Sequence, residues 1–240
     1  MYDKDISAQY DRMSGSESLS AFGSLMRRVY LWMALGLGMT ALTALFVANT
    51  PQLVMAIFGS QILFWVLIFG ELGLVLWLTA AASRLNFSTM GMLFALYCVL
   101  NGATLSVIFL VYEIGSIAQC FFITAGTFGA MSLVGYFTKR DLSSIGRILI
   151  MALIGVIIAT VVNLFMRNSA LDMIINYAGV LIFVGLTAYD TQKIKNMLLE
   201  AEQQADGNTL GKIALLGSLS LYLDFVNLFL YLLRIFGRRR

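Results

Sequence analysis

The sequence contains no histidine, one proline and two cysteines, and only 12% of its 240 residues are Asp, Glu, Lys or Arg. Each shortage excludes something. Without histidine there is no Ser-His-Asp triad, no histidine-bearing zinc site and no imidazole to change charge between pH 5 and 8. Cys98 and Cys120 both lie inside apolar runs with no further ligands beside them. They read as small apolar filler rather than as a disulfide or a metal pair. A soluble domain carries about 25% charged residues, and a chain of this size must cover its surface with polar groups. Here 60% of residues are apolar, so the solvent is lipid. The net charge of +3 is small and scattered, which argues against a nucleic-acid partner.

What is present is a series of long apolar runs. A spanning helix needs about 20 predominantly apolar residues at 1.5 Å per residue. Seven segments meet this: Val29–Ala48, Gln61–Ala82, Phe87–Tyr112, Ile114–Phe137, Ile145–Met166, Met173–Tyr189 and Ile213–Leu233. The chain is expected to be an all-α integral membrane protein with seven transmembrane helices. Pro51 opens a tilted entry turn before the second span. Glu113 alone separates the third and fourth, which form a tight hairpin, and Asp141 or Ser143 caps the fifth. The sixth helix is expected to run on through Asp190 to Lys195, with polar residues 196–210 as a loop before the seventh. Residues 1–22 are polar and carry Asp3, Asp5, Asp11 and Glu17, the wrong start for a cleaved signal. They read as an N-terminal arm, and 23–240 as a single seven-helix domain. Ala125, Gly126, Gly129 and Ala130 give small-xxx-small spacing twice in the fourth span, a helix-packing signal.

Lys and Arg favour the cytoplasmic side. A cytoplasmic N-terminus puts Lys4, Arg12, Arg27, Arg28, Arg84, Lys139, Arg140, Arg147, Lys193, Lys195 and Lys212 inside, with only Arg167 in the opposite loops. Seven crossings then leave Arg234, Arg238, Arg239 and Arg240 outside. A re-entrant last segment would return them to the cytoplasm. Seven crossings are the expectation, because Ile213–Leu233 is long enough to span.

A charge inside a membrane is costly and therefore a functional hypothesis. Asp224 lies about twelve residues, ~18 Å, into the seventh span if that helix starts at Ile213. That is near the midplane. Asn227 follows three residues later on the same face. Asp190 closes the sixth span at the cytoplasmic end, where Arg84 closes the second, so the two form a plausible pair. If Asp190 and Asp224 approach one another they do not both ionise easily, and they titrate as a unit. Simpler readings stand beside these. Asp190 is then an interfacial acid beside Lys193, and Asp224 a structural acid bonded to neighbouring helices. Glu71, in the overlong second segment, is either a pore or accessory acid or one that reaches an interface. Glu113 reads as a solvated hairpin charge, and Arg238–Arg240 as a surface tail.

Two long words carry a resemblance: Phe183-Val184-Gly185-Leu186-Thr187-Ala188-Tyr189-Asp190-Thr191-Gln192-Lys193, and Leu221-Tyr222-Leu223-Asp224-Phe225-Val226-Asn227-Leu228-Phe229 followed by Leu232-Leu233-Arg234. With Lys139-Arg140-Asp141-Leu142-Ser143, they make residues 20–240 resemble the bacterial branch of the Bax inhibitor-1 family. That resemblance implies six helices around a hydrophobic C-terminal seventh. It also implies a calcium leak gated by pH, with Asp190 and Asp224 as the sensing pair. The latch arginine would be Arg84, placed by matching Asn101-Gly102-Ala103-Thr104 downstream. One departure is the loop 196–210, longer than in the smallest bacterial members, which leaves the reach from Asp190 to Asp224 open.

Three functions compete. A cation leak of the bacterial inner membrane suits acids in an apolar bundle, since Ca²⁺ takes oxygen ligands. Any Ca²⁺ contact with Asp190 and Asp224 is weak and transient, and no cofactor is implied. A non-transporting regulator would instead bind other membrane proteins. An intramembrane aspartyl protease would use two membrane aspartates, and Tyr189-Asp190 fits one half of its motif. Leu221-Tyr222-Leu223-Asp224 is not the Gly-x-Gly-Asp that the other half requires, so the chain reads as a non-enzyme.

Overall fold

The computed structural model describes the backbone of residues 2–202 and 207–240, and the side chains of 23–201 and 207–240. The reading of residues 1–22 as an arm lies outside the described side chains. The chain forms helices α1 (Tyr2–Ala48), α2 (Pro51–Gly59), α3 (Gln61–Ala80), α4 (Phe87–Leu105), α5 (Val107–Val111), α6 (Ile114–Phe137), α7 (Ser143–Met166), α8 (Ser169–Glu202) and α9 (Gly207–Phe236). Seven stretches are long and apolar enough to cross a membrane: Gly23–Ala48, Gln61–Ala80, Phe87–Val111, Ile114–Phe137, Ser143–Met166, Ser169–Ala201 and Gly207–Phe236. This is an all-α membrane protein.

Local chemistry sets the breaks. Pro51 starts α2, where its missing N–H leaves no bond unmade. Ser60 caps α3 by accepting from the Leu63 N–H, and Asn86 caps α4 by accepting from the Thr89 N–H at 2.8 Å. Asp141 accepts from the Ser143 N–H at 2.9 Å at the start of α7. Arg167 ends α7 in the left-handed region (φ 51°), so Asn168 can turn at once and accept from the Ala170 and Leu171 N–H groups that open α8.

Three expectations are revised, and one, seven crossings rather than a re-entrant last segment, is kept. The third span is not one unbroken helix: Ser106 separates α4 from α5 and turns its hydroxyl back onto the Ala103 carbonyl. Residues 196–202 and 207–210 are helical rather than loop, because no glycine or proline interrupts them before Gly207; only 203–206 lie outside the described residues. Of the small-residue stripe only Ala125 packs against the core; its glycines do not mark a close helix approach. A Cβ at Gly126 or Gly129 would meet nothing within 4 Å, and Gly126 and Ala130 are exposed. The last segment is not re-entrant. Its end meets the Glu113 hairpin, opposite to Asp141: Glu113 N–H donates to the Arg238 carbonyl, and Arg240 N–H to that of Val111, both at 3.0 Å.

The helix α9 is the most buried of the seven spans. Thirteen of its residues are buried, among them Leu215, Leu221, Tyr222 and Leu228. It packs on α1, α4, α6 and α8, whereas α3 packs mainly on α4 and α7 on α8. Close approach to α8 comes from glycines. The Gly135 position on α6 abuts the Ala188 carbonyl, Gly146 on α7 abuts the Tyr189 ring, and Gly217 on α9 faces Ile194. A larger residue at Gly135 would have to move the α8 backbone, and one at Gly146 or Gly217 would have to displace the Tyr189 or Ile194 side chain, so these three positions set how closely α8 is approached near Asp190.

Candidate functional site

The helices α8 and α9 run antiparallel, and their facing turns bring two acids to one interface. The Ser220 hydroxyl on α9 donates to Asp190 Oδ2 on α8 at 2.6 Å. Asp224 follows Ser220 by four residues, one turn or about 6 Å deeper on the same face. It is 5% exposed, and its Oδ2 has no hydrogen-bond partner. Asp190 is half-buried and within Coulombic reach of Asp224. A cleft of about 230 Å³ opens beside Asp190, between Thr79 of α3, Lys193 and Met197 of α8, and Ser220 and Leu223 of α9. Because α9 begins at Gly207, its first turns run alongside the polar extension of α8. Asp224 therefore lies one turn beyond the Asp190 level, and farther from the start of its helix than a start at Ile213 places it.

The end of the bundle around Asp190 is tied down by the residues that follow it. The Gln192 amide grips the loop between α6 and α7 twice: Oε1 accepts from the Leu142 N–H, and Nε2 donates to the Arg140 carbonyl, both at 2.8 Å. Lys195 donates to the Tyr136 carbonyl at 2.7 Å. In that loop the exposed Asp141 carboxyl is held below the ordinary aspartate value, chiefly by hydrogen bonds from Ser143.

A second polar cluster lies deeper. Glu71 of α3 is buried, and both its oxygens accept: Oε1 from the Thr104 hydroxyl, Oε2 from Asn101 Nδ2 at 3.2 Å. Asn101 Oδ1 accepts from the Tyr222 hydroxyl at 3.0 Å. Tyr222 in turn contacts the Thr40 hydroxyl at 2.6 Å, and Thr40 reaches the Cys98 carbonyl at 3.0 Å. Four helices are thereby joined through one hydrogen-bond chain that ends on a carboxylate. A buried polar network is retained only if its members find partners; each does here, and the two hydroxyl protons of Thr40 and Tyr222 are shared among three contacts, so two of those three bonds are made at a time. Sequence reasoning named Glu71 but not Thr40, Tyr222 or Ser220, and used Asn101 and Thr104 only as landmarks. Signals were available: Asn101 and Thr104 share a helix face, and Ser220 stands one turn before Asp224.

The other expected site residues fall elsewhere. Arg84 is exposed in the turn after α3, five residues past Thr79, which lines the Asp190 cleft. Among the described residues it makes no ion pair with Asp190, whose hydrogen-bond partner is Ser220. Asn227 is half-buried and donates to the Leu223 carbonyl of its own helix at 2.8 Å, not to Asp224. Glu113 is exposed at the far hairpin. Cys98 and Cys120 are buried and unbridged. No group of three or more Cys, Asp or Glu residues that could hold a metal ion occurs among the described residues.

Comparison with known proteins places this arrangement. The family described as inhibitor of apoptosis-promoting Bax1 matches residues 23–240, all seven spans. The chain belongs to the Bax inhibitor-1 family. It is similar to the inner membrane protein YbhL of Escherichia coli, 48% identical over 234 residues, which cover 96% of this chain and all of that one. It is also similar to a Borreliella burgdorferi protein, 44% identical over 90% of this chain and 92% of that one. A Rickettsia prowazekii protein is 39% identical over the whole of this chain and 98% of its own. In this Bax inhibitor-1 member the two long acidic words are the parts of α8 and α9 that meet at Ser220.

Proposed function

We propose that this chain is a pH-sensitive cation leak of the inner membrane, with Ca²⁺ as the ion carried. The single observation behind it is Asp224: a carboxylate oxygen buried in an apolar bundle without a partner, one turn from Asp190 and its cleft. Burying such a group without a function is costly. The pair supplies few of the six to eight oxygen ligands that Ca²⁺ takes, so it suits passage rather than storage. The membrane is taken from the inner membrane name of YbhL, and a cytoplasmic N-terminus from the distribution of Lys and Arg.

In this reading Asp190 and Asp224 share the pH-sensing role. Arg84, next to the cleft wall at Thr79, swings onto the ionised Asp190 as a latch. Acid protonates Asp190, removes the attraction and favours opening. Loss of the proton restores the closed state. With no histidine in the chain, a response between pH 5 and 8 has to come from acids. The test is dye-reported Ca²⁺ flux into liposomes against pH for the wild type, Asp190→Asn and Asp224→Asn. Both variants are expected to flatten the pH response. Folded protein with no flux at any pH from 5 to 8 would exclude the leak and leave a regulator of other membrane proteins. An unchanged profile in both variants would move the sensor to Glu71.

A further inference from the structure

At the Glu113 end of the bundle, a cavity of about 450 Å³ lies between α1, α5, α6 and α9. Its walls are apolar: Leu37, Ala41 and Leu45 from α1, Ala118 and Phe121 from α6, Phe229 from α9. Leu37 to Leu45 is about 12 Å along the axis, within the ~15 Å of hydrocarbon in one leaflet. The helices α1 and α6 both pack on α9 but not extensively on each other, so the cavity opens sideways between them. At that depth the surrounding solvent is acyl chain, and an apolar hollow has no polar groups to hold water.

The hairpin that borders this cavity carries a cationic tail. Ile114 lines the cavity and directly follows Glu113. The chain segment 237–240 is fastened to that hairpin. Besides the two backbone bonds given above, Arg238 N–H donates to Ser116 Oγ at 2.9 Å, and Tyr112 and Arg239 form an antiparallel bridge. Gly237 permits this closeness, since a Cβ there would lie 2.7 Å from the Tyr112 ring. The side chains of Arg238, Arg239 and Arg240 are exposed, near the carboxylate of Glu113. Arg239 lies over the Tyr112 ring at 6.0 Å. The backbone that carries three arginines is thus fastened to the hairpin bordering an acyl-sized hollow. Guanidinium forks match phosphate oxygens in pairs, and basic clusters at membrane level select anionic headgroups.

We propose that this is a binding site for one anionic phospholipid, with an acyl chain in the cavity and the headgroup phosphate on Arg238–Arg240. It rests on the seven-helix fold and not on the leak activity. The full-length protein in detergent, titrated with dioleoyl phosphatidylglycerol or dioleoyl phosphatidylcholine, is weighed intact by native mass spectrometry. The wild type is expected to hold one phosphatidylglycerol in preference to phosphatidylcholine. Combined Arg238→Gln, Arg239→Gln and Arg240→Gln should remove that preference, about five-fold per arginine, without changing phosphatidylcholine binding. Ala118→Phe, and separately Ala41→Phe from the opposite wall, should weaken both lipids. Shielding of Cys98 and Cys120 from a thiol dye verifies folding. Equal binding of the two lipids by the wild type overturns the proposal, as does a triple variant that keeps the preference. So do folded cavity-filled variants that bind like wild type, or a dimer of this chain, lost on Ala118→Phe, that covers the opening instead.

Discussion

Replacing Gly135 by alanine puts a methyl group against the backbone carbonyl of Ala188. A flexible side chain could rotate away, but a carbonyl moves only with its helix. Alanine at Gly126, on the same helix, meets nothing within 4 Å. Both substitutions gain the same helix propensity, up to about 1 kcal/mol, so this cancels in their difference. What remains is overpacking, typically about 1–3 kcal/mol, with the upper half expected because the obstacle is backbone. Unfolding is read by a dye that fluoresces on reaction with the buried thiols of Cys98 and Cys120. At roughly 2–4 °C per kcal/mol for a chain of this size, Gly135→Ala should unfold several degrees below Gly126→Ala. Equal midpoints would refute the α6–α8 contact, and with it the account of how closely α8 is approached near Asp190. If the proposed leak is the activity, Gly135→Ala, whose contact sits two residues from Asp190, should also raise it in the liposome flux assay.

Three further outcomes are expected. Tyr222→Phe keeps the edge-on packing against Phe94 and Tyr97 but removes the hydroxyl that bonds Asn101. Loss of an interhelical hydrogen bond in a membrane costs about 0.6–1.7 kcal/mol, and the thiol assay should show that loss, with Tyr222→Leu costing more. Gln192→Ala frees the loop 138–142 from both bonds, so protease cleavage near Arg140 should speed up while the cores of α8 and α9 stay protected. Asp141 titrates below its ordinary value when folded, so its contribution is present above the unfolded value and fades as pH falls through the folded one. Asp141→Asn, which keeps an acceptor for the Ser143 N–H but does not titrate, should lose less stability than the wild type between pH 5 and 3.

Much of the architecture was legible in the sequence, because lipid imposes a single rule on it. Each backbone polar group in the membrane needs a partner within its own helix, so apolar length alone located the seven spans to within a few residues at most ends. Intramembrane charge singled out Asp190, Asp224 and Glu71 for the same reason, and the acidic words pointed to the family. Composition could not say which helix faces meet. Gly126 and Gly129 looked like packing residues and face open space, whereas Gly135 and Gly146, which carry the closest approaches between helices, had no distinguishing spacing.

Partners were decided by the tertiary structure. Ser220 rather than Arg84 reaches Asp190, and Glu71 is satisfied by Asn101 and Thr104 from the next span. The tail of arginines is bonded to a hairpin more than a hundred residues earlier in the chain. Hydropathy is a property of each segment by itself. Hydrogen bonds between helices depend on rotation and register, which only the packing of the seven together determines.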